Sequence, residues 1–223
     1  IARGIPVVNV PEYAEETVAE GAFALLIALA KRMPAIGQAM ARDGWIWPQS
    51  RWLASDIAER TLGLVGFGRI GRSMARMAGS GFRAKVMAYD PYVSADEMAA
   101  HGVTKCARID DLVAAADFVS VHCVLNAETR HLLGARQLAA MKPGAILMNV
   151  SRGAIIHEEA LVAAVLSGRL GGVGLDVYSS EPLRKAGHPM SPLFDRDNVI
   201  LFPHLTFFTT EAMARLEIGR AHV

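Results

Sequence analysis

Short apolar runs alternate with longer amphipathic stretches from residue 61 to residue 202. The runs comprise residues 62–65, 85–89, 118–121, 145–150, 173–177 and 199–202. Helical periodicity lies between them, at residues 70–78, 94–100, 111–115, 135–141 and 158–167. Continuously apolar strands separated by helices are typical of a parallel sheet covered on both faces. The pattern therefore predicts a doubly wound α/β domain.

The segment before this alternation has a different character. Residues 11–31 read as a helix with acidic residues in the first turn and Lys31 and Arg32 in the last, followed by Pro34 as a stop. A second short helix is expected to run to Ala41. The stretch 43–55 mixes turn formers with tryptophans, so it is predicted to be a packed loop leading into the sheet domain.

Composition and charge narrow the function classes. The 223 residues are 52% hydrophobic and 20% charged, with a formal net charge of +1. Because no basic run is present, neither nucleic acid nor an anionic membrane surface is an expected partner. Cys106 and Cys123 lie in segments that read as buried or strand-like, without metal-ligand spacing, so a reducing cytoplasm and no metal are expected.

The longest apolar run, residues 21–30, is too short to span a bilayer and is flanked by charged residues on both sides. No signal peptide or membrane segment is predicted.

Both ends of the sequence read as interrupted. The strand-like residues 5–10 need neighbouring strands that no earlier residue supplies, so residues 1–10 are interpreted as the tail of a truncated domain. Residues 218–223 break an amphipathic helical pattern and match one reading frame of a widely used sequencing adapter, so they are expected to be a cloning scar.

A glycine turn follows the first predicted strand of the sheet. Gly66 permits a tight turn, Gly68 lets backbone approach a pyrophosphate, and Gly71 lets helix and strand pack closely. Asp90 ends the next strand, where a carboxylate can accept both ribose hydroxyls of NAD and would repel a 2′-phosphate. NAD is therefore predicted over NADP; the weaker alternative is that Asp90 merely caps the turn before Pro91.

Three reactive side chains follow later strands. Arg152, Glu181 and His204 come after residues 145–150, 173–177 and 198–202, at the expected carboxyl edge of the sheet. A guanidinium can hold a carboxylate and a neighbouring carbonyl oxygen. A glutamate bonded to an imidazole fixes its tautomer and favours its protonated form. Together the three indicate a dehydrogenase.

Over residues 1–217 the chain resembles the D-2-hydroxyacid dehydrogenases. The matching motifs are Gly66-Phe67-Gly68-Arg69-Ile70-Gly71, Tyr89-Asp90-Pro91, Asn149-Val150-Ser151-Arg152-Gly153, Gly174-Leu175-Asp176-Val177, Glu181-Pro182 and Pro203-His204. The resemblance implies a Rossmann-type NAD-binding domain over residues 11–205 with leading linker helices, beside remnants of a truncated flavodoxin-like substrate domain. Residues 206–217 would then begin a helix that returns to that substrate domain.

The resemblance also implies a reaction and a site. Hydride passes between NAD(H) and a small 2-oxo or 2-hydroxy acid; Arg152 binds the substrate carboxylate, and His204, supported by Glu181, exchanges the proton. The implied cofactor contacts are Arg69 and Ile70 at the pyrophosphate, Cys123, Val124 and Thr129 at the adenosine, and Val150, Ser151 and Asp176 at the nicotinamide. A cytoplasmic homodimer is expected.

Two other functions are compatible with these motifs. The same motifs occur in NAD(H)-sensing corepressors that resemble the C-terminal-binding proteins, and a nucleotide-binding domain without turnover is a third reading.

The chain departs from the family's pattern in two places. Val124 stands where the family often has proline. Phe207 and Phe208 either narrow the substrate pocket or are ordinary core at the start of the last helix.

Overall fold

The protein forms seven parallel strands flanked by eight helices in the described part of a computed structural model, which covers residue 10 and residues 12–221. The strands are β1 (Thr61–Val65), β2 (Lys85–Tyr89), β3 (Val103–Lys105), β4 (Phe118–Val121), β5 (Ala145–Asn149), β6 (Leu170–Leu175) and β7 (Val199–Leu201). Residues 5–9 of the predicted N-terminal strand and residues 222 and 223 of the predicted scar lie outside the described residues.

The helices connect and cover these strands. They are α1 (Glu15–Ala30), α2 (Met33–Asp43), α3 (Arg69–Arg76), α4 (Ala95–Ala100), α5 (Ile109–Ala115), α6 (Ala135–Ala140), α7 (Glu158–Leu166) and α8 (Thr210–Ala221). Pro34 follows α1 as predicted, and it also lies in the first turn of α2, where a missing N–H costs nothing. The backbone of α8 continues to Ala221, so the break in its amphipathic pattern does not coincide with the end of the helix.

The strand order is β3-β2-β1-β4-β5-β6-β7, and every neighbouring pair is parallel. This is the doubly wound order of the Rossmann fold, which confirms the predicted fold class. Order reverses between β1 and β4, and ligands bind such sheets in the crevice outside the carboxyl ends of the strands at that point. The glycine turn follows β1 and therefore lies at this crevice.

Two strand predictions need correction. Strand β3, at the edge of the sheet, was missed because its three residues are too short to give an apolar period. Strand β6 begins at Leu170 and ends at Leu175, whereas the prediction covered 173–177. Gly171 and Gly172 interrupt the apolar pattern there and shifted the predicted strand toward its carboxyl end.

Helix α1, which was predicted as a leading linker helix, packs on the sheet. It presents Leu25 and Leu29 to β6, where a Cβ on Gly174 would lie 3.1 Å from Leu25 Cβ and one on Gly172 would lie 3.2 Å from Leu29 Cδ2. The glycines of β6 thus let the helix approach closely. Two buried apolar clusters result, one on each face of the sheet.

The segment after α2 contradicts the expectation of a packed loop. Trp45 and Trp47 contact each other edge to face, with ring centroids 6.2 Å apart, yet they are 74% and 72% exposed. Leu53 is also exposed. The described structure supplies no surface for these side chains to pack on, which the sequence pattern could not show.

No single helix in the described part of the chain is long and apolar enough to cross a membrane. Helices α1 and α2 together reach that length and composition, with a bend of 57° between them.

Candidate active site and cofactor cleft

The glycine turn has the geometry that its sequence predicts. Gly66 has φ +97°, and a Cβ there would lie 2.5 Å from the amide nitrogen of Cys123. A Cβ on Gly71 would lie 2.5 Å from the carbonyl oxygen of Gly66, so helix α3 packs directly on the turn. A Cβ on Gly68 would meet no described atom within 4 Å. Open space therefore lies beside Gly68, at the amino end of α3, where a pyrophosphate would approach.

Asp90 has two roles at the neighbouring strand end. Its Oδ2 accepts a hydrogen bond from the amide of Phe67 at 2.9 Å, which ties β2 to the glycine turn. Its Oδ1 accepts from the amide of Tyr92 at 2.9 Å, so the residue also caps its own turn. Each carboxylate oxygen can accept about two hydrogen bonds, which leaves capacity for ribose hydroxyls.

The opposite wall of this cleft is the loop after β4. It holds Cys123, Val124 and Thr129, the residues predicted for the adenosine side. The Thr129 hydroxyl donates to the carbonyl oxygen of Val124 at 2.6 Å, which folds the loop on itself. Burial raises the pKa of the Cys123 thiol to about 11, so this thiol is uncharged at neutral pH. The cavity enclosed by the walls is about 180 Å³.

The two residues predicted at the pyrophosphate differ in environment. Ile70 lines a second cavity, on the nicotinamide side of the turn. The Arg69 side chain forms ion pairs with Glu12 at 2.9 Å and Glu15 at 2.7 Å. Its guanidinium is therefore engaged by the amino end of α1, and only its backbone faces the turn as predicted.

These features fit NAD. The pyrophosphate fits the open space at Gly68, at the amino end of α3. The ribose fits beside the Asp90 carboxylate. Gly66, Gly68 and Gly71 would hold the pyrophosphate, and the wall after β4 would hold the adenine.

Arg152 is placed by a hydrogen-bonded turn at the end of β5. The Asn149 side chain accepts from the amide of Ser151 at 3.0 Å and donates to the carbonyl oxygen of Arg152 at 2.9 Å. The Ser151 hydroxyl donates to the carbonyl oxygen of Cys123 at 2.5 Å, joining this turn to the adenosine wall. Asn149 was not predicted as a site residue. A polar residue at the end of a buried strand could have indicated such a role.

Glu181 and His204 form a hydrogen-bonded pair. His204 Nδ1 lies 2.8 Å from Glu181 Oε2, and Glu181 Oε1 accepts from the amide of Tyr178 at 3.0 Å. Burial raises the pKa of Glu181, but the bonds to His204 and Tyr178 and the charges of His204 and Arg152 outweigh it and lower the pKa overall. The carboxylate is therefore ionised at neutral pH and orients the imidazole.

His204 has a left-handed backbone, with φ +60°. The buried Asp176 carboxylate holds this conformation, because it accepts the amide of Leu205 at 2.8 Å and the amide and hydroxyl of Thr206 at 3.1 and 2.5 Å. Asp176 was predicted as a nicotinamide contact. Its main visible role is to shape the loop that carries His204, with about one lone pair left for a ligand.

A cavity of about 330 Å³ collects the predicted nicotinamide and substrate residues. Its walls include Ile70, Val150, Ser151, Arg152, Asp176 and His204. Phe207 also lines it, with its ring centroid 6.4 Å from that of His204, whereas Phe208 is exposed. Neither phenylalanine is buried core; Phe207 narrows the cavity.

Sequence reasoning missed the groups that hold the Glu181 loop. The buried carboxylate of Glu158, at the start of α7, accepts the amide of Ser179 at 2.8 Å. A Cβ on Gly153 would overlap the backbone of Tyr178 and Ser179. Gly153 directly follows Arg152 in the motif after β5. A glycine at such a position can indicate that another segment of backbone approaches closely, which the sequence could have suggested.

Comparisons with known proteins agree with this geometry. The family described as D-isomer specific 2-hydroxyacid dehydrogenase, NAD binding domain, matches residues 23–206. The D-3-phosphoglycerate dehydrogenase of Mycobacterium tuberculosis is 40% identical over 214 residues, which are 96% of this chain and 39% of that protein. The chain thus spans about two fifths of the length of that curated relative.

Solved structures show the same fold. The D-lactate dehydrogenase of Aquifex aeolicus, complexed with NAD and lactic acid, superimposes with a TM-score of 0.87 at 31% identity, covering 99% of this chain and 69% of that one. An acyclic imino acid reductase in complex with NADPH and D-Arg gives 0.84 at 30% identity, covering 99% and 67%. The chain belongs to the D-isomer specific 2-hydroxyacid dehydrogenase family and contains its NAD-binding domain.

Proposed function

We propose that the complete protein is an NAD-dependent oxidoreductase that interconverts small 2-hydroxy and 2-oxo acids, and that this chain supplies its cofactor cleft and reacting groups. The hydrogen bond of 2.8 Å between His204 Nδ1 and Glu181 carries the proposal, because His204 also lines the cavity that holds Arg152. It pairs an oriented proton donor with a cation beside the NAD cleft.

The side chains have distinct tasks. Arg152 binds the substrate carboxylate and polarises the neighbouring oxygen, because a guanidinium can reach both at once. The nicotinamide supplies or accepts the hydride when NAD is bound. His204 keeps Nδ1 on Glu181, so Nε2 is the nitrogen that exchanges a proton with the substrate oxygen. Glu181 fixes this tautomer and stabilises the imidazolium.

The cofactor contacts support NAD as the carrier. We propose that Gly66, Gly68, Gly71 and Asp90 hold it, with the remaining contacts from Arg69, Ile70, Cys123, Val124, Thr129, Val150, Ser151 and Asp176. The open space at Gly68 and the Asp90 carboxylate support this assignment.

The substrate side chain would be selected by parts of the protein beyond this cleft. We propose that residues 1–10 and 206–217 belong to a second, substrate-binding domain, and that residues 218–223 are a cloning scar. The family's NAD-binding domain matches residues 23–206, so residues 1–10 and 207–217 lie outside that match, which supports the former division.

A second copy of the chain is the proposed partner. Trp45, Trp47 and Leu53 expose large apolar side chains in one stretch, and such surfaces are typical of protein interfaces. Sedimentation equilibrium of the complete protein tests this, and a monomer at micromolar concentration would contradict it.

Both cysteines are unpaired, which supports the proposed cytoplasmic location.

Substitution of His204 by alanine tests the proposed activity. In the complete protein, His204→Ala should lower turnover of 2-oxo acids such as glyoxylate, hydroxypyruvate or pyruvate by about 10²-fold or more, the usual contribution of a general acid. NADH affinity, measured by calorimetry, should change less than about twofold, because the imidazole is proposed to contact the substrate oxygen and not the cofactor.

His157→Gln is the matched control, since His157 lies at the start of α7 and lines neither cavity of the cleft. It should leave turnover unchanged. Full activity of His204→Ala would remove His204 from its proposed role. Nothing in the described residues favours the corepressor alternative, and the relatives described above are enzymes.

A further inference from the structure

A hydrogen bond joins the two walls of the adenosine side of the cleft. The Tyr92 hydroxyl, in the turn after β2, donates to Glu128 Oε2, in the loop after β4, at 2.9 Å. Both residues line the same cavity as Asp90. Neither belongs to the glycine turn or to the catalytic group, so this contact has no role in the function proposed above.

Both turns are fixed by hydrogen bonds to their own backbone. Asp90 Oδ1 accepts from the amide of Tyr92, and Asn126 Oδ1 accepts from the amides of Glu128 and Thr129, each at 2.9 Å. The backbone positions of Tyr92 and Glu128 are therefore defined. The Tyr92 hydroxyl then restricts the Glu128 side chain, which would otherwise sample several rotamers at an exposed site.

The ribose end of the cleft carries two negative charges. Among the described residues, no lysine, arginine or histidine forms an ion pair with Asp90 or Glu128. The pKa of the Tyr92 hydroxyl is raised by its bond to Glu128, by the charge of Glu128 and, to a lesser extent, by that of Asp90. The charges of both carboxylates therefore reach the Tyr92 hydroxyl.

The fold does not decide between NAD and NADP, since the imino acid reductase with the same fold is solved with NADPH. The two cofactors differ by a 2′-phosphate with close to two negative charges. A carboxylate near that position disfavours the phosphate by an amount that depends on distance and screening. Two carboxylates that form no ion pair with a described cation disfavour it more than one.

We propose that Glu128 is a second residue that selects NAD over NADP, acting with Asp90 at the ribose end of the cleft, and that the Tyr92 hydroxyl holds it there. The inference rests on the proposed cofactor cleft and assigns a role to a residue outside its motif. Glu128 repels the 2′-phosphate at longer range than Asp90 and makes no required contact with NAD itself.

Competitive binding of the two cofactors to the complete protein tests the inference. NADH affinity is measured by fluorescence titration at low salt, and NADPH affinity by displacement of NADH. Glu128→Gln should raise the affinity for NADPH relative to NADH by about three- to tenfold, since an amide of the same shape removes one charge. The affinity for NADH should change less than twofold.

Three further measurements make the result specific. Glu59→Gln removes an equal charge from the exposed turn before β1, at the opposite edge of the sheet, and should leave the ratio of affinities unchanged. Tyr92→Phe keeps the charge of Glu128 but removes the hydrogen bond that holds its side chain. The affinity for NADPH relative to NADH should therefore rise, but by a smaller factor than in Glu128→Gln. The effect of Glu128→Gln should shrink at 1 M salt.

The possible failures are distinguishable. A wild-type protein without a preference for NADH would contradict the proposed role of Asp90 and this inference together. A wild-type preference that Glu128→Gln leaves unchanged, or that Glu59→Gln alters equally, would overturn the inference alone and leave the proposed oxidoreductase function intact.

Discussion

The cofactor turn and the catalytic pair are neighbours at one edge of the sheet, but they are built in opposite ways. The turn is a single segment, from Gly66 to Gly71, whose shape follows from the absence of side chains at Gly66 and Gly71. The pair joins the ends of two strands through Glu181 and His204. Its geometry depends on buried polar contacts that come from elsewhere in the chain, so different changes should damage each region.

Gly153→Ala should have the largest effect, and it should fall on the catalytic side. The new Cβ would overlap the backbone of Tyr178 and Ser179, whose amides bind Glu181 and Glu158. We expect a loss of about 3 kcal/mol or more in the free energy of unfolding. Urea denaturation followed by circular dichroism measures it.

Gly37→Ala is the matched control. Gly37 lies inside helix α2, and a Cβ added there would meet no described atom within 4 Å, so alanine should stabilise the helix by about 0.5–1 kcal/mol. Equal stabilities of the two variants would contradict the close backbone approach at Gly153.

Acid should lower the free energy of unfolding first through His122, a residue on the cofactor side. His122, at the end of β4, has both ring nitrogens buried without a partner among the described residues, and burial lowers its pKa to about 4. The unfolded chain takes up this proton near the ordinary value of 6.5, so the free energy of unfolding falls as the pH drops from about 6.5 to about 4. The contribution reaches about 3 kcal/mol at the lower limit.

The catalytic side differs in this respect. Because the pKa of Glu181 is lowered from its ordinary value of 4.5, the pair with His204 loses its carboxylate charge only below that pH. His122→Gln should therefore flatten the decline in stability between pH 6.5 and 4, as measured by urea midpoints across the range. His101→Gln, which removes an exposed imidazole, should leave the decline unchanged; parallel curves for wild type and His122→Gln would refute the assignment.

Gly68→Ala should have the smallest energetic effect and should separate folding from binding. Its Cβ would enter open space, so the free energy of unfolding should change by less than about 0.5 kcal/mol. NADH affinity should fall by about tenfold, or about 1.4 kcal/mol, because the methyl group occupies the path of the pyrophosphate.

Gly81→Ala provides the comparison for Gly68→Ala, because its Cβ would also enter open space but outside the cleft. It should leave NADH affinity as in the wild type. Unchanged affinity in Gly68→Ala would show that the pyrophosphate does not approach this glycine.

The family, the fold class and NAD as the cofactor were predicted from sequence and are confirmed. Strands β2 and β4 agree with the prediction residue for residue, since buried parallel strands have continuous apolar runs. Short β3 and glycine-rich β6 gave weak or shifted signals, because neither offers a continuous apolar run of sufficient length. The catalytic and cofactor roles of individual residues stay predictions, although the structure brings Arg152, Glu181 and His204 into one site.

Other features could not be read from the sequence because they depend on contacts distant along the chain. Asp176 matched a motif as a nicotinamide contact, but its bonds to Leu205 and Thr206 became visible only in the fold. The tryptophans at 45 and 47 looked like the interior of a packed loop and are exposed. Hydrophobicity predicts that a side chain seeks cover, but it does not say which surface provides it.

The sequence by itself determined the alternation of strands and helices, the glycine turn and the types of reacting side chain. These depend on local periodicity and on backbone freedom at single positions. Only the tertiary structure decided that Asp176 holds the loop of His204, that Gly153 packs against the backbone of Tyr178 and Ser179, and that Tyr92 reaches Glu128 across the cleft. Such contacts join residues far apart in the chain, and their distances are set by how the strands lie side by side.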